Sequence, residues 1–400
     1  MDLKRLLVLI STNTYEFLDS NREIIRSELK RLDISSKDQP DLIEKIVKIS
    51  KIVNNPKTRE SYLRSYFRVF QEGIDADGRG SSIIIEITKK CVKNCAHCYS
   101  KFSGIKQEMS DDTLDAIIKY ARSHVKHIFL TGGEPTVDPR IFVLAQNNPD
   151  ILFFVFTNGS TMTDAYAKRL SSFGNIIPLL GIDGGSASTH DMLRGKGSYH
   201  EVKNAIDRLN KNNVSWGYIS LVTEKNAYNV LGKKFINDKI KKGAFIARYL
   251  EYLPVGPKPL RSLILSGETY YFLEKRKKEI IKSGSIYIQE TMQEKCNGLL
   301  YFDVDGNIKN CFCFHYAKYN VASGDINKSV HKTRKEWTSY SWAGECPLYS
   351  DAIRFKDHLE KIGWKRISFR DEEYLSNPDI AAQLTRNYKR FLEIKAVQGL

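Results

Sequence analysis

SIIIEITKKCVKNCAHCY, residues 82–99, runs from a seven-residue strand-forming stretch straight into a loop with cysteines at 91, 95 and 98. A β-branched run bounded by charge reads as a buried strand, which puts three thiols at its carboxyl end. The same texture recurs downstream. HIFLTGG (127–133), LFFVFTNG (152–159), IIPLLGIDG (176–184), WGYISLVTE (216–224) and FIARYLEYL (245–253) read as further strands. Between them, SDDTLDAIIKYARSH (110–124), PRIFVLAQNN (139–148), TDAYAKRLSSF (163–173), SYHEVKNAIDRLNKN (198–212) and NAYNVLGKKFINDKI (226–240) carry helical periodicity. Strands alternating with amphipathic helices predict repeated βα units on a parallel sheet. Six such units predict an α/β fold, a partial TIM-like (β/α)6 barrel whose chemistry belongs at the carboxyl ends of its strands.

Both flanks have a different texture. IIRSELKRL (24–32) and DLIEKIVKISKIV (41–53) are helical, and the turn-rich GIDADGRGSS (73–82) separates them from the first strand. The predicted organisation is a helical segment over 1–80, the barrel over 81–260, a cysteine-bearing extension over 261–350 and a charged helical segment over 351–400. Four hundred residues with 42% hydrophobic content support this division, because single cores stop growing near about 250–300 residues.

The chain carries a net charge of +15. Lys233, Lys234, Lys239, Lys241, Lys242 and the run Lys275–Lys278 fall on segments that read as exposed helix faces. This is a solvated basic surface open to anionic partners; no nucleic-acid module accompanies it, so nucleic acid is not expected. No apolar run approaches the roughly 20 residues of a membrane span, and MDLKRLLVLISTNTYEF is too short in its apolar part for a signal peptide. A cytoplasmic, reducing setting is expected, where clustered cysteines serve metals more often than disulfides.

Seven cysteines divide into Cys91, Cys95 and Cys98, then Cys296, Cys311, Cys313 and Cys346. Three thiolates on one short loop can hold three irons of a cubane and leave the fourth open. Zinc is the alternative, with His97 inside the loop as the nearest fourth ligand. Thr131-Gly132-Gly133-Glu134-Pro135 lies at the end of the second strand, about 40 residues on. Thr157-Asn158-Gly159 ends the third, and Gly181-Ile-Asp183-Gly184 with His190-Asp191-x2-Arg194-x2-Gly197-Ser198-Tyr199 follows the fourth.

These motifs, at these strand ends, resemble the radical S-adenosylmethionine (SAM) enzymes over roughly residues 80 to 260. The resemblance implies that Cys91, Cys95 and Cys98 hold a [4Fe-4S] cluster whose open iron chelates SAM, with His97 in the aromatic slot against the adenine. It implies that Gly132, Gly133 and Glu134 receive the methionyl amino group, and that Thr157, Asn158, Asp183 and Arg194 complete the cofactor site. The last segment is similar to that of peptide-maturing members, which read Ser-x-Asp-Gly where Gly181 stands here. Leu253-Pro254-Val-Gly256 fits the place where the family often reads Pro-x-Gly near the adenine.

Asp305-Gly306-Asn307 reads as a hairpin turn that pairs YFDV with IKNCF. The pattern Cys296-x9-Gly306-x4-Cys311 is similar to the opening of SPASM and twitch extensions. It implies one auxiliary [4Fe-4S] cluster on Cys296, Cys311, Cys313 and Cys346, with His315 as a substitute ligand should either of the close pair be free. A zinc ribbon on the same four thiols is the alternative.

The resemblance implies reductive cleavage of SAM to a 5′-deoxyadenosyl radical, hydrogen abstraction and a net oxidation, with electrons from flavodoxin or ferredoxin. A peptide or protein side chain is the expected substrate. The alternatives are an anionic small molecule such as a sugar, nucleotide or phospholipid headgroup, and a non-catalytic metal-binding scaffold. Against a peptide stands the strandless first 80 residues, where a leader-recognition domain would open with strands. No residue declares itself a catalytic acid or base.

Overall fold

The computed structural model describes residues 3–34, 36, 38–71, 82–99, 106–255, 259–289, 300–340, 346–367 and 377–398. The turn-rich stretch 73–81, Gly256 and Cys296 lie outside these residues. The apolar periodicity of the opening segment becomes α1 (Leu3–Thr12), α2 (Tyr15–Ser20), α3 (Arg22–Arg31), α4 (Gln39–Ile52) and α5 (Pro56–Gln71), which share a core of Leu6, Ile25, Leu29, Ile46 and Phe67.

Six parallel strands follow in sequence order: β1 (Ser82–Thr88), β2 (His127–Gly132), β3 (Leu152–Thr157), β4 (Ile176–Gly181), β5 (Trp216–Val222) and β6 (Ala244–Glu251). Their period-two alternation sorts side chains between two cores. Ile83, Ile85, Ile128, Leu130, Phe153 and Val155 meet the outer helices. Ile84, Phe129, Phe154, Ile177, Leu179 and Ile246 fill the interior.

The covering helices are α6 (Asp111–Arg122), α7 (Arg140–Asn147), α8 (Asp164–Leu170), α9 (Ala187–Arg194), α10 (Ser198–Lys211), α11 (Ala227–Val230) and α12 (Lys233–Lys241). Ser110 and Thr163 cap α6 and α8 with their hydroxyls. The segment read as one helix over 226–240 is two, divided at Leu231 and Gly232.

The sheet extends beyond six strands at both edges. α13 (Gly267–Ser283) leads to β7 (Tyr287–Gln289), which adds parallel to β6. At the other edge β8 (Leu300–Phe302) adds parallel to β1, and β9 (Asn307–Lys309) pairs antiparallel with β8 through Tyr301↔Lys309 and Phe302↔Ile308. The turn between them is the expected one, with Gly306 at φ +79°. After β10 (Tyr316–Ala317), β11 (Tyr319–Asn320) completes a ten-stranded sheet. α14 (Ile326–Trp337), α15 (Pro347–Ser350), α16 (Ala352–Lys361), β12 (Lys365–Arg366) and α17 (Pro378–Gln398) finish the chain. α17 packs on α13 and α15 through Tyr388 and Phe391 against Tyr270 and Tyr349. Among the described residues no helix is long and apolar enough to cross a membrane.

Not all of the lysines are solvated. Lys239 is buried over the Phe235 ring and pairs with Asp238, while Lys277 is buried between Glu251 and Glu274. On an amphipathic helix a long stem at the edge of the apolar stripe is covered together with it.

The helical preface closes the amino-terminal mouth of the barrel. Tyr62 of α5 sets its ring edge-on to Phe154 and Phe245 at 6.4 and 6.1 Å, in the interior core that also holds Val53. Ser65 Oγ donates to Lys126 O (2.8 Å), and the buried Arg68 donates to the carbonyls of Arg122 and Val125 just ahead of β2. Replacing Tyr62 with Ala removes this plug and should cost about 3–5 kcal/mol, read as a lower denaturation midpoint. A change below about 1 kcal/mol would show that the floor is held elsewhere.

Candidate active site

The loops after β1 and β2 interlock. Gly133 N donates to Thr88 O and Glu134 N to Lys90 O, both at 2.8 Å. Neither glycine leaves room for a side chain. At Gly132 (φ +144°) a Cβ would run into the Thr88 carbonyl, and at Gly133 it would lie 2.8 Å from Cys91 Cβ. Glu134 is 1% exposed, and burial raises its pKa. Its Oε1 accepts from the Thr136 amide and hydroxyl, and its Oε2 from Asn158 N at 2.7 Å. The carboxylate therefore ties the second strand end to the third while lining the cavity described next.

Cys91, Cys95 and Cys98 face one cavity of about 210 Å³ together with Gly132, Gly133 and Glu134. Their loop is fixed by Ala96 N to Leu193 O (2.8 Å) and Cys98 N to Cys95 O (3.2 Å). The six described cysteines form no disulfide. Burial, reinforced by Glu134 and the neighbouring thiols, pushes Cys91 up to about 11. Among the described residues no three His, Cys, Asp or Glu side chains gather round a single ion. The three thiols share the lining of this one cavity.

The fourth strand end supplies charge. Asp183 is fully buried and accepts from Arg194 Nε (2.6 Å) and Leu221 N (2.8 Å), with His97 Nε2 at 3.7 Å. Burial pushes this carboxyl up, but the Arg194 charge, His97 and the hydrogen bonds outweigh it and hold it below the usual range. Gly181, where a serine is expected, makes room for Arg194: a Cβ there would lie 2.5 Å from the guanidinium carbon. His190 and Asp191 shape the turn, His190 Nδ1 accepting from Asp183 N and the Asp191 carboxylate from Gly197 N and Tyr199 N. Thr157 and Asn158 line the cavity; Thr157 Oγ1 accepts from Gly159 N. His97 also lines it, with Nδ1 buried and unpartnered, and burial drops its pKa to about 4, so the ring is neutral.

The C-terminal hairpin meets the same cavity through Phe312 and Cys313. Tyr99, next to the first cysteine loop, lies edge-on to Phe312 at 5.7 Å, and the Tyr99 and Tyr301 hydroxyls are 3.4 Å apart. Cys311 is buried, and hydrogen bonding with Cys313 lowers its pKa. Cys346 stands buried at the start of α15. The His315 ring faces Tyr99 at 6.0 Å. Sequence reasoning missed Arg248 and Glu251 of β6, which also line the cavity. Single polar residues in an apolar strand carry no motif to find them by.

Gly133→Ala should displace Cys91 and reduce iron uptake on reconstitution, whereas Gly195→Ala meets open space at φ +95° and should cost about 1–3 kcal/mol of backbone strain without moving the thiols. Equal iron content in the two variants would show that the interlock does not position the thiols.

The buried histidines set a pH dependence. Burial lowers His97 and His190 to about 4 and His127 to about 3, while the unfolded chain takes up these protons near about 6.5. The unfolded state then binds more protons, so stability falls as pH drops from about 6.5 towards 4. Glu86, raised to about 7 by burial, and Glu134, also raised, oppose this, while His315, held well below its usual value by burial, adds to it. The net effect is on the order of 2–3 kcal/mol per pH unit. Denaturant midpoints of metal-free protein at pH 6.5 and 5.0 should show this fall, and a rise would contradict it.

Residues 85–227 match the family model described as the Radical SAM superfamily. The chain is 31% identical over 147 residues to the AdoMet-dependent heme synthase of Methanosarcina barkeri, covering 35% of this chain and 42% of that protein. It is 29% identical over 163 residues to the mycofactocin maturase MftC of Mycolicibacterium smegmatis, covering 39% and 40%. The chain thus spans under half the length of these relatives. The solved structure titled native anSMEcpe with bound AdoMet and Cp18Cys peptide shares the fold at a TM-score of 0.54 and 18% identity, over 80% of this chain and 97% of that one. Strand order and the cysteine loop agree with that match, so residues 85–227 are similar to the Radical SAM superfamily in both sequence and fold.

Proposed function

We propose that this chain holds a [4Fe-4S] cluster on Cys91, Cys95 and Cys98, binds SAM across the neighbouring strand ends and oxidises a peptide or protein side chain. One observation carries the reading: a single cavity is walled by the three thiols of the first loop and by Cys313 of the C-terminal hairpin. The residues present suit the cofactors. Three unbridged thiols line one cavity, Gly132 and Gly133 leave bare backbone, and the buried Nδ1 of His97 has no hydrogen-bond partner. When bound, cluster and SAM together supply one-electron cleavage of a sulfonium and hydrogen abstraction from carbon.

The protein's part is placement. Arg194 is steered by Asp183 into the space over Gly181, where its remaining nitrogens suit a carboxylate. Thr157, Asn158 and Glu134 hold the intervening strand ends in register. Phe156, Leu221, Leu250 and Phe312 give the cavity dry walls. An auxiliary [4Fe-4S] cluster on Cys311, Cys313 and Cys346 with Cys296 suits electron acceptance beside the substrate, and flavodoxin or ferredoxin in the cytoplasm suits electron supply. A peptide is supported by the peptide held in the fold relative and by the maturase name of a sequence relative. An anionic small molecule is the second reading, favoured by Arg248 on the cavity wall.

Anaerobic reconstitution should give about eight irons per chain and, with dithionite, 5′-deoxyadenosine from SAM. Cys98→Ala should abolish that product. Cys346→Ala should still form it but stop substrate turnover; turnover at the normal rate would remove the auxiliary cluster from the reaction, and zinc in place of iron would sink the proposal.

A further inference from the structure

Arg248 lies on the inner face of β6, buried to 5% exposure inside the barrel. Its guanidinium is stacked 4.8 Å over Phe129 and 5.8 Å from Phe156. Nε is sealed from solvent without a hydrogen-bond partner, and among the described residues the group has no ion pair. Glu251, three residues on, lies 3.7 Å from Lys277 of α13. A buried charge without a partner is costly, and aromatic faces alone replace little of its hydration. Yet the side chain lines the same cavity as the cysteine loop.

The register sharpens this. Gly181, Ile219 and Arg248 are successive partners across β4, β5 and β6, so Gly181, which Arg194 covers, and Arg248 stand at one level, their backbones about 10 Å apart at the usual strand spacing. Their electrostatic states differ. Arg194 is neutralised by Asp183 in direct contact, whereas Arg248 has no ion pair among the described residues and feels only the charge of Glu251, which Lys277 shares. A guanidinium set against the stacked pair of Phe129 and Phe156 is restricted in position and keeps its forked donors for a planar carboxylate or a phosphate.

We propose that Arg248 is the substrate-anchoring residue, receiving a carboxylate or phosphate group of the molecule oxidised in this cavity. The assignment rests on the proposed function, for it places the substrate between the first cysteine loop and β6. It makes the required group the same whether it is borne by an acidic peptide or by a small anion.

The test uses full-length reconstituted protein, with inorganic phosphate and acetate as probes against chloride at constant ionic strength. Wild type should bind phosphate or acetate and melt higher in its presence, and Arg248→Met should weaken that binding by about 30-fold or more. Without probe, Arg248→Met should melt no lower than wild type, since it removes a buried charge that no ion pair holds. A lower melting point with the anion response intact would make Arg248 a structural residue and overturn the proposal. Phosphate and SAM should bind wild type together; competition would assign the site to the carboxylate of SAM and overturn the proposal too. If the variant does not fold, the wild-type titrations decide alone. Anion binding without 5′-deoxyadenosine formation would sink the reading of the cofactor site and leave this anion site standing, whereas cleavage without any anion response does the reverse.

Discussion

Two backbone hydrogen bonds, from Gly133 to Thr88 and from Glu134 to Lys90, join the first two strand ends more tightly than any side chain would permit. They set where Cys91 stands, because the same glycine that donates leaves no space between itself and the Cys91 side chain. From this contact the order of the site propagates. Glu134, carried in by the second bond, reaches Asn158 on the third strand end. Asn158 in turn stands 3.9 Å from the Cys91 sulfur, so the chain of contacts returns to its start. A loop of three thiols held this way needs no disulfide to keep its shape in a reducing environment.

The two ends of the barrel are built for opposite purposes. At the amino-terminal mouth Tyr62 and α5 close the interior with aromatic edges and side-chain bonds to carbonyls ahead of β2. The cysteine loop and the strand-end motifs lie at the other end, where loops and the C-terminal hairpin wall the cavity. The hairpin belongs to the sheet itself. β8 pairs with β1, the strand that carries the cysteine loop, so Phe312 and Cys313 are held in register with Tyr99 and the first thiols. Cys313 and the first three cysteines, more than two hundred residues apart in sequence, thus line one cavity.

Legibility followed contiguity. The strand-end motifs were readable because each is a short run of residues whose chemistry is local, and the structure places the described ones on one cavity. The hairpin was readable from its turn, since Gly306 needs a positive φ between two alternating runs. β7 was not: three residues, YIQ, are too few to show a period. Nor was the floor, because the periodicity of α5 tells that it packs but not against what. Glu134 shows a subtler limit. The motif identified it as a cofactor-facing carboxylate, but its hydrogen bonds to Thr136 and Asn158 depend on loops that sequence alone does not bring together.

Gly181 shows how an apparent loss becomes a substitution. A serine at that position would place its Cβ against the guanidinium carbon of Arg194, so serine and this arginine conformation exclude one another. The glycine gives up one hydroxyl and admits a charged, forked donor set to the same volume, held there by a buried Asp183. Such a donor set recognises carboxylate more strongly than a hydroxyl does. The exchange also accounts for the burial of Asp183, which neutralises a guanidinium drawn inward to the cavity wall. The position that departs from the family pattern is therefore coupled to two that keep it, and the three act as one unit.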